Sequence, residues 1–336
     1  MKTNDAIEAR KSIIADSLRS ARIIDASTHD ATEAIAFLTS QLAYVESKIY
    51  EKGRQPMQYE QLVPISTEAG EYAQSVEYEI YDYSGRGKKT SGKGKDINRV
   101  DVAYGRKSFP IHYGNIGYDY TQEELRVSAF LRRPLSERRA AVAMEAYKRH
   151  MNTVALSGET ESGLTGLYNN ASVPTANVPN GAGASPLWAN KTPAEILKDV
   201  NAAILAVWNA TQYNTLPTTI VLPPTQFNLI ATTALSSTYP NKTILEWLRE
   251  KNLATVQYGK QIEFVPGYGL TGAGAGATDR MVVYTKDPEK LVMHTPLPLR
   301  FLAPQLIGLA VEVPGEYKYS GVEIRYPKSA YYADGI

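Results

Sequence analysis

The sequence predicts an α+β fold, and three observations carry that prediction. Over two long stretches the apolar residues recur at spacings of three and four, which marks amphipathic helices. Elsewhere they alternate with polar residues or run as short β-branched blocks, which marks strands. The two kinds of segment are intermixed without the regular strand–helix–strand alternation of a parallel α/β sheet. The 336 residues are 43% apolar and 21% charged, enough to build a sizeable core in one large domain or two ordinary ones.

The elements follow in order. Ile7, Ile14 and Leu18 lie in a polar N-terminal arm. From Ala31 to Lys52, the residues Ile35, Leu38, Leu42, Val45 and Ile49 make one apolar stripe, with Asp30 as N-cap and Gly53 as the stop. From Ser75 to Tyr83, Val76, Tyr78 and Ile80 alternate with Glu77, Glu79 and Tyr81, the periodicity of a strand. Val100, Val102 and Tyr104 resume the alternation, and Phe109, Ile111 and Tyr113 extend it. The two runs predict a long hairpin joined through Gly85–Asn98, and a loop of that length is functional or disordered. Thr121 opens a helix with a Thr-Gln-Glu-Glu capping box. Pro134 to Ser157 then predicts a helix about 36 Å long at ~1.5 Å per residue, with Ala140, Met144, Tyr147, Met151 and Val154 on one stripe.

Asn169 to Asn190 is rich in Pro, Gly, Ala, Ser and Asn and reads as a loop or subdomain boundary. A helix over Pro193–Asn209, a buried strand over Thr219–Leu222 and helices over Pro224–Thr233 and Lys242–Lys251 come next. The remainder predicts strands at Gln261–Val265, Met281–Thr285, Lys290–His294, Leu306–Val313 and Tyr317–Tyr326.

Composition and motifs exclude several kinds of chemistry. The net charge is +1, so the whole chain has no long-range preference for polyanions or polycations. The window Gly85–Lys107 nevertheless carries +6, leaving about −5 elsewhere. Cysteine is absent, which removes disulfides, thiolate chemistry and cysteine–zinc sites. The charged N-terminus lacks the apolar run of a signal peptide, and no stretch approaches the roughly 20 apolar residues of a membrane span. Tyrosine is abundant, 23 residues against 6 phenylalanines, a bias that suits half-buried surfaces and subunit interfaces.

The segment Gly87-Lys-Lys-Thr-Ser-Gly92-Lys93-Gly94 imitates a phosphate-binding loop, but glycine replaces the Ser/Thr that would hold magnesium. A strand follows it rather than a helix whose amides would complete the anion site. Gly272-Ala-Gly-Ala-Gly276 sits between two strands and lacks dinucleotide spacing. His29, His112, His150 and His294 form no local metal pair, and no Gly-x-Ser-x-Gly elbow occurs. Glu123–Glu124 reads as a helix N-terminus and Glu159 and Glu161 as a solvated turn, while Arg132–Arg133 and Arg138–Arg139 either pair with acidic residues of a neighbour or, by default, lie in water. The sequence nominates no catalytic residue, no metal ligand and no cofactor.

The order of parts, together with several local phrases, resembles the major capsid proteins of tailed bacteriophages, the Hong Kong 97 fold. LVPISTEAGEYAQSVEYEIYDYSGRGK resembles the strand that leads into the family's extended loop, and KDINRVDV the strand that returns from it. MEAYKRHMNTVALSGETESGLTGLYNN is similar to the end of the spine helix and its glycine-rich exit, here Gly163-Leu-Thr-Gly166-Leu-Tyr-Asn169. PTTIVLPPTQFNLIATT looks like a strand and helix of the axial domain. SGVEIRYPKSAYYADGI resembles the C-terminus of a subgroup formerly known only as a domain of unknown function.

The resemblance implies an N-terminal arm with a helix over residues 1–60, an extended hairpin loop over 61–118, and a spine helix with the start of a peripheral domain over 119–189. It implies an axial domain over 190–283 and returning strands of the peripheral domain over 284–336. Arg86, Lys88, Lys89, Lys93, Lys95 and Arg99 become the inter-subunit tip of the loop, and Gly85, Gly87, Gly92 and Gly94 its hinge. Ile35, Leu38, Leu42, Val45 and Ile49 pack the arm, and Met144, Tyr147, Met151 and Val154 pack the spine helix. The implied function is self-assembly through pentamers and hexamers into an icosahedral virion shell around double-stranded DNA, bound without sequence preference, in a host bacterial cytoplasm. A separate scaffold protein, a portal and decoration proteins are the implied partners. Two alternatives stay open: an encapsulin-like nanocompartment shell of the same fold, and a nucleic-acid-binding protein that uses the basic hairpin 85–107.

Overall fold

The computed structural model describes residues 55–84, 89, 101–131, 136–236 and 239–336. The expected arm residues Ile35, Leu38, Leu42, Val45 and Ile49 lie outside the described residues. So do Arg86, Lys88, Lys93, Lys95 and Arg99 of the loop tip, and Gly85, Gly87, Gly92 and Gly94.

The described chain opens with helix α1 (Tyr59–Leu62) and strand β1 (Ile65–Ser66). Strands β2 (Ser75–Ser84), β3 (Asp101–Pro110) and β4 (His112–Thr121) follow. Helices α2 (Gln122–Leu131) and α3 (Ser136–Ser157) come next, the latter the spine helix. After β5 (Thr175–Asn177) and α4 (Pro193–Ala210) the chain runs through β6 (Thr219–Leu222), α5 (Pro224–Thr232), β7 (Ala234–Ser236) and β8 (Tyr239–Thr243). Helices α6 (Ile244–Lys251) and α7 (Leu253–Tyr258) precede β9 (Glu263–Pro266) and β10 (Arg280–Tyr284). The last strands are β11 (Leu291–His294), β12 (Leu297–Phe301), β13 (Gln305–Ile307), β14 (Ala310–Tyr319), β15 (Val322–Ile324) and β16 (Ala330–Asp334). The class is α+β, as the sequence predicts.

A five-stranded sheet in the order β5-β16-β10-β6-β9 divides the interior into two cores. Successive side chains on a strand point to opposite faces. Val221, Val265, Val282, Tyr284 and Tyr332 therefore enter one core with Tyr147, Met151 and Val154 of α3. Ile220, Leu222, Phe264, Met281, Val283 and Ala333 enter the other with Ile196, Val200, Ile204 and Val207 of α4. Burial on both faces explains why Thr219–Leu222 reads as a continuous β-branched block rather than an alternating one. Helix α4 starts on a capping box, in which Glu195 accepts from the Thr192 amide at 2.8 Å with Pro193 just inside.

Val178 and Trp188 are buried in this second core with Ala333 and Ile336. The stretch read as a boundary loop thus supplies a core anchor, and the C-terminal strand β16 joins β10 across the expected 283/284 division. Two strand expectations change. Leu306–Val313 is not one strand: Gly308, at φ +61°, folds it into the β13–β14 hairpin. Tyr317–Tyr326 also breaks: the chain leaves the β14 sheet after Tyr319 and β15 pairs with β11, with Gly321 so close to the Thr165 carbonyl that a side chain there would crowd it.

Strand β14 is central to a second sheet, pairing with β4 over ten residues on one side and with β12 and β13 on the other. The spine helix lies against it, its Tyr147 ring 4.9 Å from that of Tyr317. In α3 the buried stripe runs through Ala143, Tyr147, Met151 and Val154. Met144, placed on that stripe by spacing, is 37% exposed, and Ala143 beside it is the buried residue of that turn. The helix begins at Ser136 and its 22 residues span ~33 Å at 1.5 Å each.

Candidate inter-subunit surface

The hairpin of β2 and β3 is paired in unbroken register from Ser75↔Pro110 to Ser84↔Asp101. Among the described residues these strands pair only with each other. Every residue from Val102 to Ser108 is exposed. Direct opposition across the pair sets Val76, Tyr78 and Ile80 on one face with Phe109, Lys107, Gly105 and Ala103. Glu77, Glu79 and Tyr81 share the other face with Ser108, Arg106 and Tyr104.

The second face carries a polar network beside the exposed Val102. Tyr81 and Tyr104 both donate to Glu79, at 2.7 and 2.5 Å, with their rings 5.5 Å apart. Arg106 lies 3.3 Å from Glu77 and 3.5 Å from Glu79. Hydrogen bonds from Tyr104 and then Tyr81, aided by Arg106, hold the Glu79 carboxyl below its usual range, and the same bond to Glu79 raises the Tyr81 hydroxyl.

The base of the hairpin is pinned to the body. The Ile111 amide donates to the Gln74 carbonyl at 2.9 Å, and Lys318 Nζ donates to the Ala73 carbonyl at 3.3 Å. Arg300 bridges Glu71 at 2.6 Å and Glu316 at 2.7 Å, and Tyr113 donates to Glu316 at 2.6 Å. The Arg325 guanidinium lies 5.5 Å from the centre of the Tyr78 ring. Of the expected loop-tip cations, Lys89 is described, and it is exposed.

At the other end of the β4–β14 sheet, the β13–β14 turn carries an apolar surface that the sequence reading did not single out. Leu309 is 79% exposed, and Leu302, Leu306 and Ile307 are exposed beside it. The Gln122 amide donates to the Leu309 carbonyl at 3.0 Å, which sets the start of α2 next to this turn, and Phe130 on the same helix is 87% exposed. The signal was in the sequence as Leu306-Ile-Gly-Leu309, but a single strand assignment hid it. The predicted capping box is formed: the Glu124 amide donates to Thr121 Oγ1 at 3.2 Å and the Thr121 amide to Glu124 at 3.1 Å. Arg139, expected in water, pairs with Glu124 at 2.8 Å and lies over Tyr120. That pairing, with the Thr121 amide, depresses the Glu124 carboxyl.

Two amides of the Gly272–Gly276 turn are taken by the chain's own carboxylates: Ala275 donates to Asp334 at 2.9 Å and Gly272 to Asp279 at 3.0 Å. Glu159, expected in a solvated turn, instead accepts from Ser162 at 2.5 Å and Tyr319 at 2.9 Å, 3.3 Å from His150. His294 is buried 2.7 Å from Glu323. Among the described residues no group of three His, Asp or Glu side chains could hold a metal ion, and no helix is long and apolar enough to cross a membrane.

A spine helix beneath a long sheet, a two-core sheet domain and an extended hairpin pinned at its base define a shell-forming subunit of the Hong Kong 97 fold. A family model described as major capsid protein matches residues 85–336, and the chain belongs to that family. The capsid of Myoviridae phage XM1 superposes with a TM-score of 0.74 at 17% identity, over 93% of this chain and 100% of that one. A capsid of an empty GTA particle gives 0.60 at 13% identity over 92% and 99%, and a structure from Gordonia phage Cozz gives 0.57 at 13% over 93% and 96%. No curated protein sequence matches.

Proposed function

We propose that the chain assembles through rings of five and six copies into an icosahedral shell around double-stranded DNA, and that its work is assembly rather than turnover. The hairpin Ser75–Pro110 extends over a neighbouring copy. The observation that carries this reading is the hairpin itself: ten residue pairs in unbroken register, exposed along β3, with no other strand beside them among the described residues. A two-stranded ribbon is marginal in water by itself, so its length makes physical sense when a second subunit lies against it.

Residues 190–283 serve as the ring-centred domain, and the spine helix with the β4–β14 sheet as the peripheral one. The basic segment Arg86, Lys88, Lys89, Lys93, Lys95 and Arg99 steers encounter with the acidic remainder of a neighbour, a role that sets rate and register more than affinity. Apolar contacts supply the affinity, and the Leu302–Leu309 turn with Phe130 is the surface best suited to them. The arm stripe Ile35, Leu38, Leu42, Val45 and Ile49 adds to them, and a separate scaffold protein guides closure in the bacterial cytoplasm before the portal and decoration proteins complete the particle.

Negative-stain electron microscopy of the purified chain at high concentration, without nucleic acid, tests the reading. Rings and shells are the expected result. Replacing Lys88, Lys89, Lys93 and Lys95 by alanine should slow assembly and leave binding of free DNA nearly unchanged. Abolished DNA binding with unaltered assembly would instead support the nucleic-acid-binding reading.

A further inference from the structure

The two faces of the hairpin are chemically unlike, and the difference says which one a neighbour covers. We propose that the face carrying Ile80, Ala103 and Gly105 lies on a second copy of this chain, with the Glu79 face turned away from it. The inference rests on the hairpin reading above and deepens it.

Gly105 is the sharpest sign. Glycine weakens the interior of a strand, and where it occurs there it often marks a close approach of another backbone. Among the described residues nothing requires it: the backbone is not left-handed, and an added Cβ would meet only the Ile80 carbonyl, 4.0 Å away. Gly114 on β4 is the contrast, because there a Cβ would collide with the Tyr317 ring directly opposite. The space over Gly105 is therefore unused by the described residues of its own subunit.

The surroundings agree. At the hairpin base the same face already packs on its own subunit: Val76 shares a hollow with Ile65, Val292, His294 and Arg325, and Arg325 covers Tyr78. Further along the same face Ile80 is half-buried, and Ala103 and Gly105 are exposed. A face that starts on the body and runs on into exposed residues is aimed at whatever stands beside the body. In a shell built of one chain, that is another copy. On the opposite face Glu79, Tyr81, Tyr104, Arg106 and Glu77 satisfy one another's polar groups, so that, exposed Val102 aside, water suits it without a partner.

The chain has no cysteine, which makes single-cysteine labelling clean. Ala103→Cys reports the first face and Ser108→Cys the second, and Lys107→Cys replaces Ala103→Cys if that variant does not assemble. Both faces should react with a maleimide in free subunits. In assembled shells the first face should lose on the order of tenfold or more in labelling rate, as for a site reached only through local opening, and Ser108→Cys should stay reactive. In addition, Gly105→Leu should leave the melting temperature of the free subunit unchanged and stop shell formation. A protected Ser108→Cys overturns the face assignment, whether or not Ala103→Cys is protected with it, while the hairpin reading stands. Full reactivity of both in shells overturns the hairpin reading itself. Normal shells from Gly105→Leu overturn the close approach.

Discussion

Gly158 and Gly166 close the exit of the spine helix by sheer proximity. Gly158 takes φ +74° just past the helix end, and a Cβ on Gly166 would sit 2.5 Å from the Gly158 amide and the Leu156 carbonyl. Asn169 locks the turn, accepting from the Gly166 amide at 2.7 Å and donating to the Ser157 carbonyl at 2.6 Å. Because the clash is with backbone, Gly166→Ala should cost ~1–3 kcal/mol, as overpacking does, read as a lower melting temperature of the free subunit. The Gly163–Asn169 phrase was legible as a motif, and the structure supplies its physical reason. The partnership of Arg280 and Asp334 was not legible, since 54 residues separate them. Asp334 is buried and meets Arg280 Nε at 2.6 Å, while Arg280 also donates to the Tyr168 carbonyl and lies over Tyr332. Arg280→Ala leaves that carboxylate buried and unpaired and should cost ~3–5 kcal/mol. Thermal melting measures the loss, and hydrogen exchange should show β16 loosening.

At the scale of elements, the hairpin's polar face predicts a dependence on acidity. Glu79 ionises more readily in the folded hairpin than in an unfolded chain. Its stabilisation is therefore complete above the ordinary carboxylate range and is lost as pH falls through the depressed value. Amide exchange in β2 and β3, corrected for intrinsic rates, should quicken under acid in the free subunit, and Glu79→Gln should remove most of that dependence. An unchanged profile in Glu79→Gln would place the acid sensitivity elsewhere. Elements with a clean period were legible: β2 by alternation, α3 by its three–four spacing, β6 as a short buried block. The ones missed were those whose identity depends on distant chain. Strand β16 has no alternation of its own and exists because β10 and β5 flank it. Strand β12 is short and held by β14. The candidate surface divides in the same way, since the hairpin ribbon announces itself locally, whereas the Leu306–Leu309 turn becomes a surface only once Gly308 has folded it.

On the scale of the whole molecule, a near-neutral chain concentrates net positive charge in one hairpin segment and leaves large apolar side chains uncovered at the β13–β14 turn. Both features are poorly suited to a solitary subunit and well suited to a repeated one. Leu309→Ser should leave the subunit folded, since that side chain is exposed, and should weaken assembly, seen as a higher concentration threshold for shells in light scattering. The central claim, that this chain closes a shell by laying its hairpin on a neighbour, is tested most directly by a cryo-electron-microscopy reconstruction of the assembled particle. The account predicts rings of five and six copies with the Ser75–Pro110 ribbon resting on an adjacent subunit. A closed particle whose ribbons stand clear of every neighbour would contradict it.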